Sequence, residues 1–404
     1  MIFLSVFLIF ALTIVDGRMS YLAVALFCVV AAIKIGFSSS SIGVRRLSPA
    51  QFFIFIMPLF IFFSWCYGVI VGLLNGVEVS YVFSNFAGLS LYVLFYIFYF
   101  SVHPETSKKA LFFSAICSCV FGLYSVYSSY ASVGGGGDAD QVGIAGFRTL
   151  YSATFLYVVP FLLVCLVCLF LQRKSGSALK SDLKAGFWLL IFGFTLVVPA
   201  MSKGFILVFI LLFMLVFIAG YSSVLRSMVI GKNLFVMTFL VLLAGAALLL
   251  FTDIYNVIAF SFSSGESSNS TRSEQFGYLV SEWSFSGAGL GSSLMSGYQR
   301  DETGYGFELT YINLVNKLGV LSVPLFLSYV SVLFYGVKFF FFEGKRFTGA
   351  WILGLMAFLI PGAGNPLLLA PVFVFMHFIA IMLVIIELSS QSELDEDGKQ
   401  KLMQ

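Results

Sequence analysis

The sequence predicts an all-α, polytopic integral membrane protein of about 12 spanning helices with one large loop on the outer side. Three observations predict it. The 404 residues are 60% hydrophobic and only 10% charged, with a mean hydropathy of +1.02. A soluble domain of this length cannot hide that much apolar surface. The apolar residues gather into runs near the ~20 residues that a helical span needs. Of the 22 Lys and Arg, only Arg18, Arg148, Lys203, Arg272, Arg300 and Lys317 fall on one side of those runs. That side is therefore the outer one, by the positive-inside bias. The net charge of +3 decides nothing, because placement matters more than total.

The spans are expected near 2–15, 19–36, 51–73, 84–101, 110–130, 149–171, 185–200, 204–223, 233–252, 309–337, 349–361 and 367–388. The run 2–15 resembles a signal-peptide core. It lacks a basic leader and another apolar run follows Arg18, so it reads as an uncleaved first span. Inner connections carry cations such as Lys34, Arg45 and Arg46, or Arg173, Lys174, Lys180 and Lys184, which puts both termini in the cytoplasm. The six cysteines all lie in apolar runs; Cys165 and Cys168 form C-x-x-C with no nearby His or carboxylate, and read as buried hydrophobes. His377, inside the last span, reads as a satisfied polar residue of the helix interior. The domains divide as 1–252, nine spans; 253–308, the large outer loop; 309–388, three spans; and 389–404, an acidic cytoplasmic tail.

The large loop carries its own signals. Thr271-Arg272-Ser273-Glu274 matches a capping box, with Thr at the N-cap and Glu three residues on. Phe276, Leu279, Val280 and Trp283 follow at helical spacing, predicting a short amphipathic helix along the membrane surface. Arg272 in its first turn makes a ready anion site; the alternative is an interfacial Arg reaching lipid phosphate. Gly287, Gly289 and Gly291 then read either as a tight turn whose N–H groups face a ligand or as a plain loop. A nucleotide loop is discounted, since no strand precedes them. A second outer loop, 131–148, joins Asp138 and Asp140 to a run of four glycines.

Residues 306–320, from Gly306-Phe307-Glu308 through Tyr311 to Gly319-Val320, resemble the end of the periplasmic loop in the O-antigen ligase and polymerase superfamily. There a polar catalytic residue precedes a Tyr–Leu-type helix ending in Gly–Ile. Arg148 in Gly146-Phe147-Arg148-Thr149 opens the sixth span as a family Arg does. Ser202-Lys203-Gly204 is similar to a family Ser-Arg-Gly, with Lys replacing Arg. Lys keeps the charge but loses the bidentate fork. Ligases of the superfamily place a His where this chain has Glu308. Its two His, His103 and His377, cannot serve the outer loop, which favours the polymerase branch over the ligase.

The resemblance implies a GT-C-like fold in a bacterial inner membrane, with the site facing the periplasm. It implies an inverting glycosyl transfer between undecaprenyl-diphosphate-linked glycans, with a flippase and a chain-length regulator as pathway partners and no nucleic acid. Arg148, Lys203, Arg272 and, more weakly, Arg300 are the candidates for holding the diphosphate, whose charge grows as the glycosidic bond breaks. Glu308 is the candidate base for the acceptor hydroxyl, or a carboxylate capping the tenth helix. Tyr311, Asp138, Asp140 and Asn365 are candidate sugar contacts; Lys317 either joins the anion site or snorkels outward. No outward cluster has metal-ligand spacing, so neither metal nor cofactor is expected. The rival of another class is a lipid-linked oligosaccharide flippase, which would favour inverted repeats and charges deep in the spans.

Overall fold

The computed structural model of the chain describes residues 27–31, 33, 47–101, 267–299, 304–364, 366–369 and 371–402. The expected spans 2–15, 110–130, 149–171, 185–200, 204–223 and 233–252, and most of 19–36, lie outside the described residues. Every regular element among the described residues is helical, with no strand.

Helix α1, Pro49–Leu74, begins at a capping box that no apolar pattern reveals: Ser48 Oγ accepts from the Gln51 N–H at 3.3 Å, and Gln51 Oε1 accepts from the Ser48 N–H at 2.7 Å. Pro49 takes the first position, where its missing N–H costs nothing. Its 26 residues reach about 39 Å at ~1.5 Å each, more than a ~30 Å hydrocarbon core. The chain turns at Gly76 into a short helix α2, Val79–Ser84. The expected span 84–101 is broken here: Phe86 sits at φ 55°, and the helical path resumes as α3, Ala87–Ser90, a 3₁₀ turn at Leu91–Leu94, and α4, Phe95–Ser101.

After α5, Ser267–Ser281, comes a second long element. It is built from α6, Thr310–Leu318, a 3₁₀ turn at Gly319–Ser322, α7, Val323–Val337, and a π turn at Lys338–Phe342. Together Thr310–Phe342 makes 33 residues, and it and α1 are the two helices among the described residues long and apolar enough to cross a membrane. Helices α8, Arg346–Leu353, and α9, Met356–Leu359, lead through a turn at Pro361–Ala363 to α10, Pro371–Leu402. The helical backbone of α10 thus runs on through the acidic residues that sequence reads as a tail.

The core lies where α1, α7 and α10 meet the Leu91–Ser101 stretch. Phe378 packs edge-on against Phe95 and tilted against Phe98 there, and Gln51 Nε2 donates to the Ile385 carbonyl and Ser389 Oγ, tying α1 to α10. His377 behaves as expected: Nδ1 is hydrogen-bonded to the Tyr92 hydroxyl at 2.7 Å and Nε2 to Ser328 Oγ at 3.3 Å, so no ring nitrogen is stranded. The outward sides stay apolar. Val323, Leu327, Val330 and Phe334 form an exposed stripe down α7, and Phe52, Phe60 and Phe63 are exposed on α1. These exposed apolar faces belong to the two helices among the described residues that are long and apolar enough to cross a membrane.

Between α1 and α6 runs the glycine loop. Ala288 N–H donates to the Asn316 carbonyl, Gly289 N–H to Lys317 and Leu290 N–H to Gly68, all near 3 Å. Leu290 fills the groove over Gly68 and Gly72 of α1. Only glycine fits at 289: φ is 84°, and a Cβ there would lie 2.4 Å from the Gly72 nitrogen. Gly297 shares the left-handed geometry, at φ 73°, but has open space around it. Gly297→Ala is therefore expected to cost about 1–2 kcal/mol of backbone strain, and Gly289→Ala markedly more. Thermal unfolding of the two purified variants checks this; equal midpoints would show that the loop is not wedged between the helices.

Candidate functional site

The glycine loop sets where α5 lies, and α5 departs from its expected start. Ser267–Ser270 are already helical, so Thr271 is inside the helix rather than its N-cap, and Arg272 is not in a first turn. The proposed anion site at free N–H groups beside Arg272 is thereby removed. Arg272 instead finds a carboxylate: its Nε donates to Glu308 Oε2 at 3.0 Å, with both side chains about a quarter exposed (28% and 27%).

Neighbouring groups fix the pair. Gln275, one turn beyond Arg272 and fully buried, accepts the Glu308 N–H on Oε1 at 3.1 Å. Among the described residues its buried Nε2 has no hydrogen-bond partner. The guanidinium rests against Gly364 in the turn before α10; a Cβ there would sit 3.4 Å from Arg272 Nε. Glu308 does not cap α6: that helix starts at Thr310 with Leu309 at its N-cap and no side-chain cap bond. Three segments distant in sequence, around 272, 308 and 364, thus converge on one charged spot.

The other candidates separate. The Tyr311 hydroxyl donates to the Leu359 carbonyl, tying α6 to α9, so its proton is committed to the protein. Lys317 neither joins the pair nor snorkels. It is fully buried, donates from Nζ to the Ser292 carbonyl at 2.6 Å and Ser292 Oγ at 3.2 Å, and lies 5.6 Å from the centre of the Phe307 ring. A buried cation needs such partners, and here it straps the glycine loop to α6. The Gly289 N–H is spent on the Lys317 carbonyl of α6 and the Gly287 N–H on the Ser284 carbonyl of its own turn, so neither faces a ligand. Arg148, Lys203, Arg300, Asp138, Asp140 and Asn365 lie outside the described residues.

Sequence reasoning missed Gln275, whose spacing of three from Arg272 puts it on the same helix face. It also missed Asn316, whose Nδ2 donates to the Leu279 and Glu282 carbonyls at the end of α5. Tyr278, Tyr298 and Phe307 stack as a ladder over the loop, with centroids 4.6 and 6.4 Å apart. No protein-family model, curated protein or solved structure matches this chain.

Glu282, just past α5, accepts the Met295 N–H at 2.6 Å and the Ser296 N–H at 2.9 Å. Partial burial pushes its carboxyl up, but the Ser296 hydroxyl, these two N–H groups and the Lys317 charge outweigh it and hold it below the ordinary 4.5. A depressed carboxyl contributes stability above its unfolded value, and that contribution is lost as pH falls through the lower folded value. Glu282→Gln should therefore unfold at a lower temperature than wild type at neutral pH, with the gap closing on acidification. A gap that is constant with pH would show that the loop does not depend on the charge.

Proposed function

We propose that this chain is a polytopic glycosyltransferase that polymerises polyprenyl-diphosphate-linked oligosaccharide repeat units. It is the polymerase type within the O-antigen ligase and polymerase superfamily that the sequence resembles. The reading places it in a bacterial inner membrane, with about 12 spans, a GT-C-like arrangement, both termini cytoplasmic and the site on the periplasmic face. Its substrates are an undecaprenyl-diphosphate-linked donor and acceptor, supplied by a flippase, with a chain-length regulator as partner.

One observation carries it. Arg272 and Glu308, chosen on separate grounds as diphosphate holder and base and 36 residues apart, meet at 3.0 Å. Their partial exposure leaves a route for substrate. Charge explains how one pair serves both roles. Without substrate, the carboxylate neutralises the guanidinium. A lipid diphosphate brings more negative charge and competes for Arg272, which Arg148, Lys203 and Arg300 would reinforce. The freed carboxylate then takes the proton of the acceptor hydroxyl as its oxygen attacks the anomeric carbon. The bond to the diphosphate oxygen breaks, the electron pair leaves with the diphosphate, and the anomeric centre inverts without a metal. Arg272 stabilises the charge that grows on the leaving group.

Glu308, rather than His, at the loop's end favours polymerase over ligase. The flippase rival differs in outcome: its variants would strand single repeat units inside the cell. Arg272→Ala is expected to slow polymerisation about 100- to 1,000-fold and Glu308→Gln about 100- to 10,000-fold. Both should leave single lipid-linked repeats on the outer face and no long chains, as read from electrophoresis of surface polysaccharide. Full-length chains from both variants, or loss of the single repeats, would sink the proposal.

A further inference from the structure

Helix α5 has three arcs, set by about 100° per residue. One faces the protein: Gln275 and Leu279 are fully buried, and Arg272 is held by Glu308. Ser273, Glu274 and Ser281 lie on a polar exposed arc. Between them lie Phe276 and Val280, both exposed, and Trp283, two residues past the helix end, is 51% exposed. Phe285 continues this apolar arc, and its carbonyl accepts the Val320 N–H at 2.9 Å. That bond brings Phe285 to the head of the exposed apolar stripe, which starts at Val320 and Val323 and runs down α7.

We propose that Phe276, Val280, Trp283 and Phe285 form a surface inserted into one lipid monolayer, with acyl chains as its occupant. Continuity with the apolar face of the long helix Thr310–Phe342 picks lipid over a second protein: one unbroken band leads from the span onto the loop. The roll of α5 is not free, because the Gln275, Leu279 and Asn316 contacts fix its protein side. The polar arc then faces water and the apolar arc faces hydrocarbon, roughly 5–10 Å into the headgroup and acyl boundary. The consequence is positional: Arg272 and Glu308, at the edge of the inserted arc, lie at the depth of lipid phosphates. This inference rests on the membrane reading but not on the proposed glycosyl transfer.

The test uses the full chain in lipid nanodiscs. The fluorescence that Trp283→Phe removes is the Trp283 component. Lipids brominated near the top of their acyl chains should quench most of it, and aqueous iodide should leave it nearly intact. Glu274→Trp, on the far side of the polar arc, should add a component with the opposite response. Iodide quenching of Trp283 would place the arc in water. Quenching by neither agent would mean that a protein partner or a second copy covers it. Bromolipid quenching at position 274 would mean that the helix is rolled differently. Each of these three results overturns the proposal.

Discussion

The arrangement depends on one constraint: a polar backbone strand of loop has to pass between two apolar helices without leaving its N–H groups unmet. Residues 288–290 meet it by donating to carbonyls of α6 and α1, and a surface of glycines on both sides makes room. In a setting where water cannot repair a missing bond, each orphaned group costs several kcal/mol. The loop therefore has one place to go. With Lys317 strapping that loop to α6 and Asn316 holding the end of α5, the helix presents Arg272 toward residue 308.

The ion pair that results is weak as a structural feature and useful as a chemical one. Exposed pairs contribute little to stability, and this one is only partly covered. On the proposed function its worth lies in exchange, since a partly exposed carboxylate–guanidinium pair can open to a ligand with more charge. Lys317 shows the contrast: fully buried and held by Ser292, it cannot exchange. Two cations near one loop thus differ in exposure, Arg272 partly open and Lys317 enclosed.

Much of the described fold was legible because apolar length is a one-dimensional signal. The spans expected at 51–73 and 309–337 appear as Pro49–Leu74 and the helical run starting at Thr310. The 84–101 run misled because hydropathy does not register the left-handed Phe86 that breaks it. The capping box at Thr271 misled because a four-residue pattern carries no knowledge of upstream residues that are already helical. At the site, the residue types of Arg272 and Glu308 were readable, but their contact was not: it depends on where the loop crosses α1, which no local pattern encodes. The role of Lys317 was hidden for the same reason, its partner Ser292 lying across the turn.

On the proposed function, the charged spot held by this loop acts on lipid-linked sugar diphosphates. The most direct measurement incubates the purified chain, in nanodiscs, with a defined polyprenyl-diphosphate-linked repeat unit and resolves the products by size. The account predicts a ladder whose steps are single repeats, with free polyprenyl diphosphate released in step with each bond formed. A repeat unit recovered intact, with no diphosphate released by a folded protein, would contradict it.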